Sequence, residues 1–239
     1  MVVEILFQEV CGLYGDSQNA TYLQATLPGA TFVYTRLCDT PYFVDNTPDL
    51  LYMGCMSEST QRRVIEKLRP YKERIIDLID SGVPFLATGN AGEIFTDEIH
   101  YITEDIITEG LGLFDLTVKT DLFKRFNGMV LGEFENMQIV GFRSQFSFLY
   151  GDNTQNYFLK CIRGEGINKE SKLEGMRRNN LICTQIIGPI LPLNPLFCEY
   201  FIGLSGVQTN AAFRESAMDA YNQRLKEFND PKVSFTVHA

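Results

Sequence analysis

The amino-acid sequence predicts an α/β protein, a three-layer sandwich with a mainly parallel central sheet and added antiparallel strands. Over residues 1–95, short apolar strand segments alternate with helical patterns, which is typical of a parallel sheet covered by helices on both faces. Between residues 111 and 150, short alternating segments follow one another without helices. These segments predict antiparallel strands added to the edge of the sheet.

The first strand is predicted over residues 2–10, which are largely apolar and β-branched. A turn at residues 12–16 follows it, and there Asp16 or Ser17 can cap a helix, since both side chains accept hydrogen bonds from backbone N–H groups. Two further strands are predicted at residues 31–36 and 49–53.

An amphipathic helix is predicted over residues 57–81, because apolar residues recur there at helical spacing and charged residues occupy the other face. Pro70 lacks a backbone donor, so we expect a break near Arg69. The remaining predictions are a strand at residues 83–88, antiparallel strands at 117–119, 128–134 and 138–142, and a last helical segment at about 210–228.

Length and charge limit the classes of protein that fit. The 239 residues are 45% hydrophobic, and one domain over residues 1–239 is expected. The balance of 21 Lys and Arg against 30 Asp and Glu gives a field that repels phosphate backbones and anionic lipids. We therefore expect no nucleic-acid or membrane partner. Because no apolar run reaches the ~20 residues of a membrane span and no signal peptide is recognised, a soluble cytoplasmic protein is expected.

Six cysteines are spread along the chain without a CxxC pair, and only two histidines, His100 and His238, are present. We interpret the cysteines as reduced thiols. The spacing of potential ligands indicates no zinc site, so no metal and no cofactor are predicted.

In an open α/β sheet, ligands bind beyond the carboxyl ends of the strands. The turns after Met53 and after Thr88 are therefore the places where a site is expected, and both contain glycine. The second turn, at residues 87–93, has the strand–turn–helix setting of a nucleophile elbow. A reactive residue at such a turn would be activated by the helix dipole.

Several short segments resemble, in order and spacing, the class I glutamine amidotransferases. Within them the chain is similar to the cobyric acid synthase-like group, which includes the glutaminase subunit of lipid II isoglutaminyl synthase. The resemblance covers residues 5 to about 202 and implies a flavodoxin-like sandwich. The segments are residues 13–16 with Asn19, 49–54, 82–84, 109–115, 139–142 and 188–192.

The chain departs from the family where the resemblance places glutaminase chemistry. Gly89 occupies the position of the nucleophilic cysteine, Glu93 that of a substrate-contacting glutamine, and Ile187 that of the general-base histidine. The turn that would supply oxyanion donors carries the bulkier Cys55 and Met56. The resemblance therefore implies that no glutaminase activity is to be expected, since nucleophile, base and oxyanion donors act as a unit.

Three hypotheses of function follow. The first is a non-catalytic subunit or scaffold for a synthetase, such as a Mur-ligase-like protein of cell-wall synthesis. The second is a small-molecule-binding or sensing domain that uses the remodelled pocket. The third is a hydrolase or transferase with replaced chemistry on Cys55, Cys183 or Glu93. The predicted pocket consists of Gly54, Cys55, Met56, Gly89, Asn90, Glu93 and Ile187.

The third hypothesis competes with simpler interpretations of the same residues. Buried free cysteines are common and inert, and Glu93 can be a solvated carboxylate favoured by a helix dipole. The sequence leaves open the identity of the partner or ligand, and whether the chain forms a homo-oligomer.

Overall fold

The computed structural model describes residues 1–237. The strands are β1 (Val2–Leu6), β2 (Thr31–Thr35), β3 (Leu50–Met53), β4 (Phe85–Thr88), β5 (Thr96–Tyr101), β6 (Ile106–Glu109), β7 (Phe114–Thr120), β8 (Phe126–Phe134), β9 (Met137–Gln145), β10 (Ser147–Gly151), β11 (Leu159–Arg163), β12 (Leu173–Glu174), β13 (Met176–Arg178), β14 (Leu181–Thr184) and β15 (Thr236–Val237). The α-helices are α1 (Gln18–Thr26), α2 (Glu58–Leu68), α3 (Lys72–Asp80), α4 (Ile190–Leu193), α5 (Pro195–Gly203) and α6 (Arg214–Asn229).

The central sheet has six strands in the order β13-β14-β4-β3-β1-β2, and every neighbouring pair is parallel except β13 with β14. Every residue of β3, β4 and β14 is buried, as expected for strands covered on both faces. The predicted α/β class with a mainly parallel sheet is confirmed.

Alternate residues of each central strand enter different cores, because successive side chains point to opposite faces. On β3, Leu51 and Met53 join a core with α2 and α3, while Leu50 and Tyr52 join a core with α1 and α5. These two cores make the three layers.

The predicted break in the amphipathic helix is confirmed. The helix α2 ends at Leu68, a 3-10 turn spans Arg69–Tyr71, and α3 begins at Lys72. Pro70 stands in that turn, where its missing N–H costs no α-helical hydrogen bond.

The middle strands do not extend the central sheet, so the prediction of strands at its edge is wrong. They form a four-stranded sheet, β10-β7-β5-β6, and a second sheet in which β8 pairs with β9, β11 and β15. The hairpin of β8 and β9 pairs nine residues with nine, so its inner backbone groups are satisfied within the hairpin. Its apolar side chains pack beside α5 and α6.

Three local predictions also need correction. Strand β1 stops at Leu6, because Phe7 has a φ of 56° and leaves the extended conformation. Ser17 precedes α1, but neither it nor Asp16 caps the helix through its side chain. The turn after β4 is a seven-residue 3-10 segment, Gly89–Phe95, that leads directly into β5, and no α-helix follows it.

Of the helices in residues 1–237, none combines the length and apolar character that crossing a membrane requires.

Candidate functional site

The candidate site is a cavity of about 220 Å³ beyond the carboxyl ends of β3, β4 and β14. Five of the seven predicted pocket residues line it: Cys55, Met56, Gly89, Asn90 and Ile187. The predicted pocket did not include the other lining residues, which are Leu13, Tyr14, Ser57, Glu58, Arg125, Ser144, Gln145, Phe146, Ser147 and Gln185.

Gly54 and Glu93 do not line the cavity, so their assignment to its wall is wrong. Gly54 packs behind it, where a Cβ would stand 2.6 Å from the carbonyl oxygen of Cys11 and 3.1 Å from Oδ2 of Asp16. Only glycine allows this close approach.

Gly89 adopts a φ of +59°, in the left-handed region that favours glycine. A Cβ at this position would overlap the Cβ of Cys55 and would stand 3.1 Å from Cγ2 of Ile187. The turn is therefore sharp, as in an elbow, but the space into which a side chain would project is already filled.

Two backbone N–H groups of the turn after β3 are occupied by side chains. The N–H of Cys55 donates to Oδ2 of Asp16 at 2.9 Å, and the N–H of Met56 donates to Oδ1 of Asn90 at 2.9 Å. Nδ2 of Asn90 donates back to the carbonyl oxygen of Met56 at 2.8 Å. We call this reciprocal pair the Met56–Asn90 clamp. Neither N–H is left to bind an oxyanion.

Asp16 is fully buried, and its hydrogen bonds join the ends of β3 and β4. Its carboxylate accepts from Asn19 at 2.8 Å and from the hydroxyl of Thr88 at the end of β4. The hydroxyl of Tyr52 on β3 donates to the Asp16 carbonyl oxygen at 2.8 Å. Burial raises the pKa of Asp16 above its ordinary value. The prediction of Asp16 as a helix cap is wrong because these partners hold its side chain inside.

Glu93 lies beneath the cavity and is 1% exposed. Its carboxyl accepts from Nε2 of Gln61 at 2.9 Å, from Nε2 of Gln185 at 3.0 Å and from the hydroxyl of Ser147. Burial raises its pKa, although these hydrogen bonds oppose the shift. The interpretation of Glu93 as a solvated carboxylate at a helix start is therefore wrong, since the segment is a buried 3-10 turn.

Gln185 has one acceptor that remains free among the described residues. It is 4% exposed and lines the cavity, and its Oε1 has no hydrogen-bond partner. A buried amide oxygen without a partner costs free energy, so it favours any donor that enters the cavity.

The cysteines near the site are poor nucleophiles. Burial is the main cause that raises the pKa of Cys55 and of Cys183, so the thiolate is disfavoured in both. The thiol of Cys55 donates to the carbonyl oxygen of Leu13 at 3.1 Å. His100 lies on β5 and does not line the cavity. His238 lies outside the described residues.

The cavity opens beside Arg125, whose guanidinium lies 4.6 Å from the ring centroid of Phe146. Nη2 of Arg125 also donates to the hydroxyl of Tyr14 at 3.5 Å. The rim thus combines a cation with two aromatic side chains.

The architecture is that of a class I glutamine amidotransferase-like fold. A solved glutamine amidotransferase matches with a TM-score of 0.58 and 14% identity, covering 87% of this chain and all 100% of that structure. The PurLQS structure from Thermotoga maritima matches with a TM-score of 0.54 and 12% identity, covering 94% of this chain and 98% of that one. At these identities the likeness concerns the fold alone.

A curated relative brings the comparison closer. The chain is 28% identical over 174 residues to subunit GatD of the lipid II isoglutaminyl synthase (glutamine-hydrolyzing) of Staphylococcus aureus strain N315. The match covers 72% of this chain and 69% of GatD. This chain is thus a distant homologue of GatD, and the resemblance found in the sequence is confirmed. No protein-family model matches the chain.

Proposed function

We propose that this chain is a catalytically inactive, GatD-like subunit that binds a synthetase of the Mur-ligase-like class. The proposed inactivity rests on the turn at Gly89. Gly89 has no side chain, and Cys55 occupies the space where one would begin. Glutamine hydrolysis by this family proceeds through a covalent bond to a nucleophile at that turn. A chain without the nucleophile has no such route.

The other elements of the site support the same proposal. Ile187, the neighbour of Gly89, cannot accept a proton. The N–H groups of Cys55 and Met56 donate to Asp16 and Asn90, so they are not directed at a substrate oxygen. Removing one member of a catalytic set costs orders of magnitude in rate, and losses within a set do not add independently. With the nucleophile, the base and the oxyanion donors all altered, we expect no measurable turnover of glutamine.

The proposed partner follows from the GatD relative, whose name makes it a subunit of a synthase that modifies lipid II. A homologue that keeps the fold can keep the surface that docks on the synthetase, because docking does not require the catalytic residues. The role of this chain would then be to stabilise or position a synthetase of cell-wall synthesis.

The test measures glutamate release from glutamine by the purified chain, alone and with a co-expressed Mur-ligase-like synthetase. We expect no release and a stable complex in size-exclusion chromatography. The variant Gly89→Cys with Ile187→His replaces the missing nucleophile and base. It also needs Cys55→Gly, because Cys55 overlaps any side chain at position 89. The same variant with Cys55 retained is the matched control. Steady turnover of glutamine by the natural chain would refute the proposed inactivity. Failure of Mur-ligase-like synthetases to bind the chain would refute the proposed class of partner.

A second candidate is a small-molecule sensor, which the unpaired Oε1 of Gln185 favours. The cavity of about 220 Å³ is below the roughly 300 Å³ at which ligand pockets usually begin. Its ligand would therefore be small and would donate a hydrogen bond, as an amino acid does. Calorimetric titration with the common amino acids tests this candidate, and Gln185→Leu should abolish any binding found.

A further inference from the structure

A second and larger cavity, of about 670 Å³, lies between β10 and the start of β8. It adjoins the candidate site, because Arg125 and Phe146 line both. Its volume falls within the ~300–1,000 Å³ of small-molecule sites.

The aromatic residues of this cavity occupy the side of β10 that faces outward. Along the strand, Ser147 and Leu149 are buried, whereas Phe148 is half-buried and Tyr150 is exposed. Side chains of a strand alternate between its two faces, so the outer face would ordinarily carry polar residues. Phe126 of β8 closes this surface, with its ring centroid 5.5 Å from that of Phe148. An exposed aromatic surface of this kind is typical of a binding site.

Cations stand over these rings. Nζ of Lys119 lies 4.9 Å from the ring centroid of Tyr150, and Nζ of Lys169 lies 6.0 Å from that of Phe148. Arg125 stands over Phe146 in the same way. Within residues 1–237, none of the three forms an ion pair with a carboxylate. The rings hold the cations in place without neutralising them, so their charge is available to an anion.

The cavity also presents carboxylates. Asp121 is paired with Lys124 at 2.9 Å, and Glu165 and Glu170 also line the cavity. Oε2 of Glu165 is buried and has no hydrogen-bond partner among the described residues. Because the side chain as a whole is only half-buried, the carboxylate can accept a hydrogen bond from a hydroxyl or amine of a ligand.

We propose that this cavity binds a nucleoside phosphate. The three cations match its phosphates, the aromatic surface of Phe126, Phe148 and Tyr150 matches a flat base, and Glu165 matches a ribose hydroxyl. An isolated phosphate would use only the cations and would leave the aromatic surface without a partner. A nucleoside phosphate uses all three features.

The test is calorimetric titration of the full chain with ADP and UDP, beside inorganic phosphate and a hexaglutamate peptide. We expect saturable binding of at least one nucleotide, at least tenfold tighter than inorganic phosphate. The variant Lys119→Gln with Lys169→Gln should weaken it tenfold or more, and Phe148→Leu should weaken it by about tenfold, since stacking on an aromatic ring contributes to base binding. Both lysines are exposed, so the variant should fold normally.

The matched control is Lys160→Gln with Lys226→Gln, which changes net charge equally at exposed positions that do not line the cavity. It should bind the nucleotide within twofold of the natural chain. The proposal is overturned if no nucleotide binds at millimolar concentration, if phosphate binds as tightly as the nucleotide, if the peptide alone binds, or if the control loses affinity as much as the cavity variant.

Discussion

The Cβ of Cys55 stands where a side chain at Gly89 would begin. A residue larger than glycine at position 89 therefore overlaps Cys55, although the two residues lie on different turns. Gly89 also holds a φ of +59°, which costs other residues about 1–2 kcal/mol. Position 89 is therefore restricted both by its backbone and by its neighbour.

This relationship predicts that Gly89→Ala lowers the free energy of unfolding by about 2–4 kcal/mol, from backbone strain together with overpacking. Adding Cys55→Gly should recover the overpacking part and leave the strain. Urea denaturation of the two single variants and the double variant measures the coupling. Strictly additive effects would mean that the two positions do not compete for space.

The Met56–Asn90 clamp predicts the effect of Asn90→Ala. Removal of the amide leaves the N–H and the carbonyl of Met56 without partners, which should lower the free energy of unfolding by about 1–3 kcal/mol. Amide hydrogen exchange should accelerate at Met56 but not at Cys55, whose N–H donates to Asp16. Asn46→Ala, which removes a single exposed hydrogen bond, is the control. Unchanged exchange at Met56 would contradict the clamp.

Glu93→Gln should stabilise the chain increasingly as pH rises. Because burial raises the pKa of Glu93 in the folded chain, folded Glu93 keeps a proton that the unfolded chain loses above about pH 4.5. Through that window the free energy of unfolding falls with pH, by up to about 1.4 kcal/mol per pH unit, until the folded pKa is reached. Glutamine at position 93 has no proton to lose. Its amide can donate to Oε1 of Gln185 if the amide group of Gln185 rotates by 180°, because that oxygen has no other partner.

The measurement for Glu93→Gln is urea denaturation of both chains from about pH 4 upward, with the exposed Glu66→Gln as the surface control. The stability difference should grow with pH for Glu93→Gln. A difference that stays constant, or that shrinks, would show that the buried carboxyl carries no raised pKa.

The native chain should expose a single reactive thiol. Cys38 is exposed and the other five cysteines are buried. Burial raises the pKa of Cys161 and Cys198 to about 12, which further suppresses their thiolates. Ellman's reagent should therefore react quickly with one thiol, and Cys38→Ser should remove that phase. Fast labelling of Cys55 or Cys183 would instead revive the hypothesis of replaced chemistry.

The sequence predicted what depends on local patterns. The strand–helix alternation and the break at Pro70 follow from hydrophobic periodicity and from the missing proline donor. The environment of Glu93 did not follow, because its partners Gln61, Ser147 and Gln185 are 32 to 92 residues away. A local pattern cannot distinguish a carboxylate at a solvated turn from one that distant amides hold inside.

The same limit applies to the sheets. The alternating segments between residues 111 and 150 correctly indicated strands, but pairing partners lie far apart in sequence, as in β5 with β7 and β8 with β11. Likewise, the role of Asp16 depended on Thr88, which follows it by 72 residues.

The Met56–Asn90 clamp also bears on the history of such a chain. If an ancestral chain had an active site at these turns, restoring the ancestral residue at one position alone would place it against neighbouring residues that now fill the same space or bind the same backbone groups. A cysteine at position 89 would meet Cys55, while the Met56 N–H would still be engaged by Asn90. On the proposed loss of glutaminase activity, regaining it would require several simultaneous substitutions, each unfavourable by itself, so selection acting one step at a time would not favour the return.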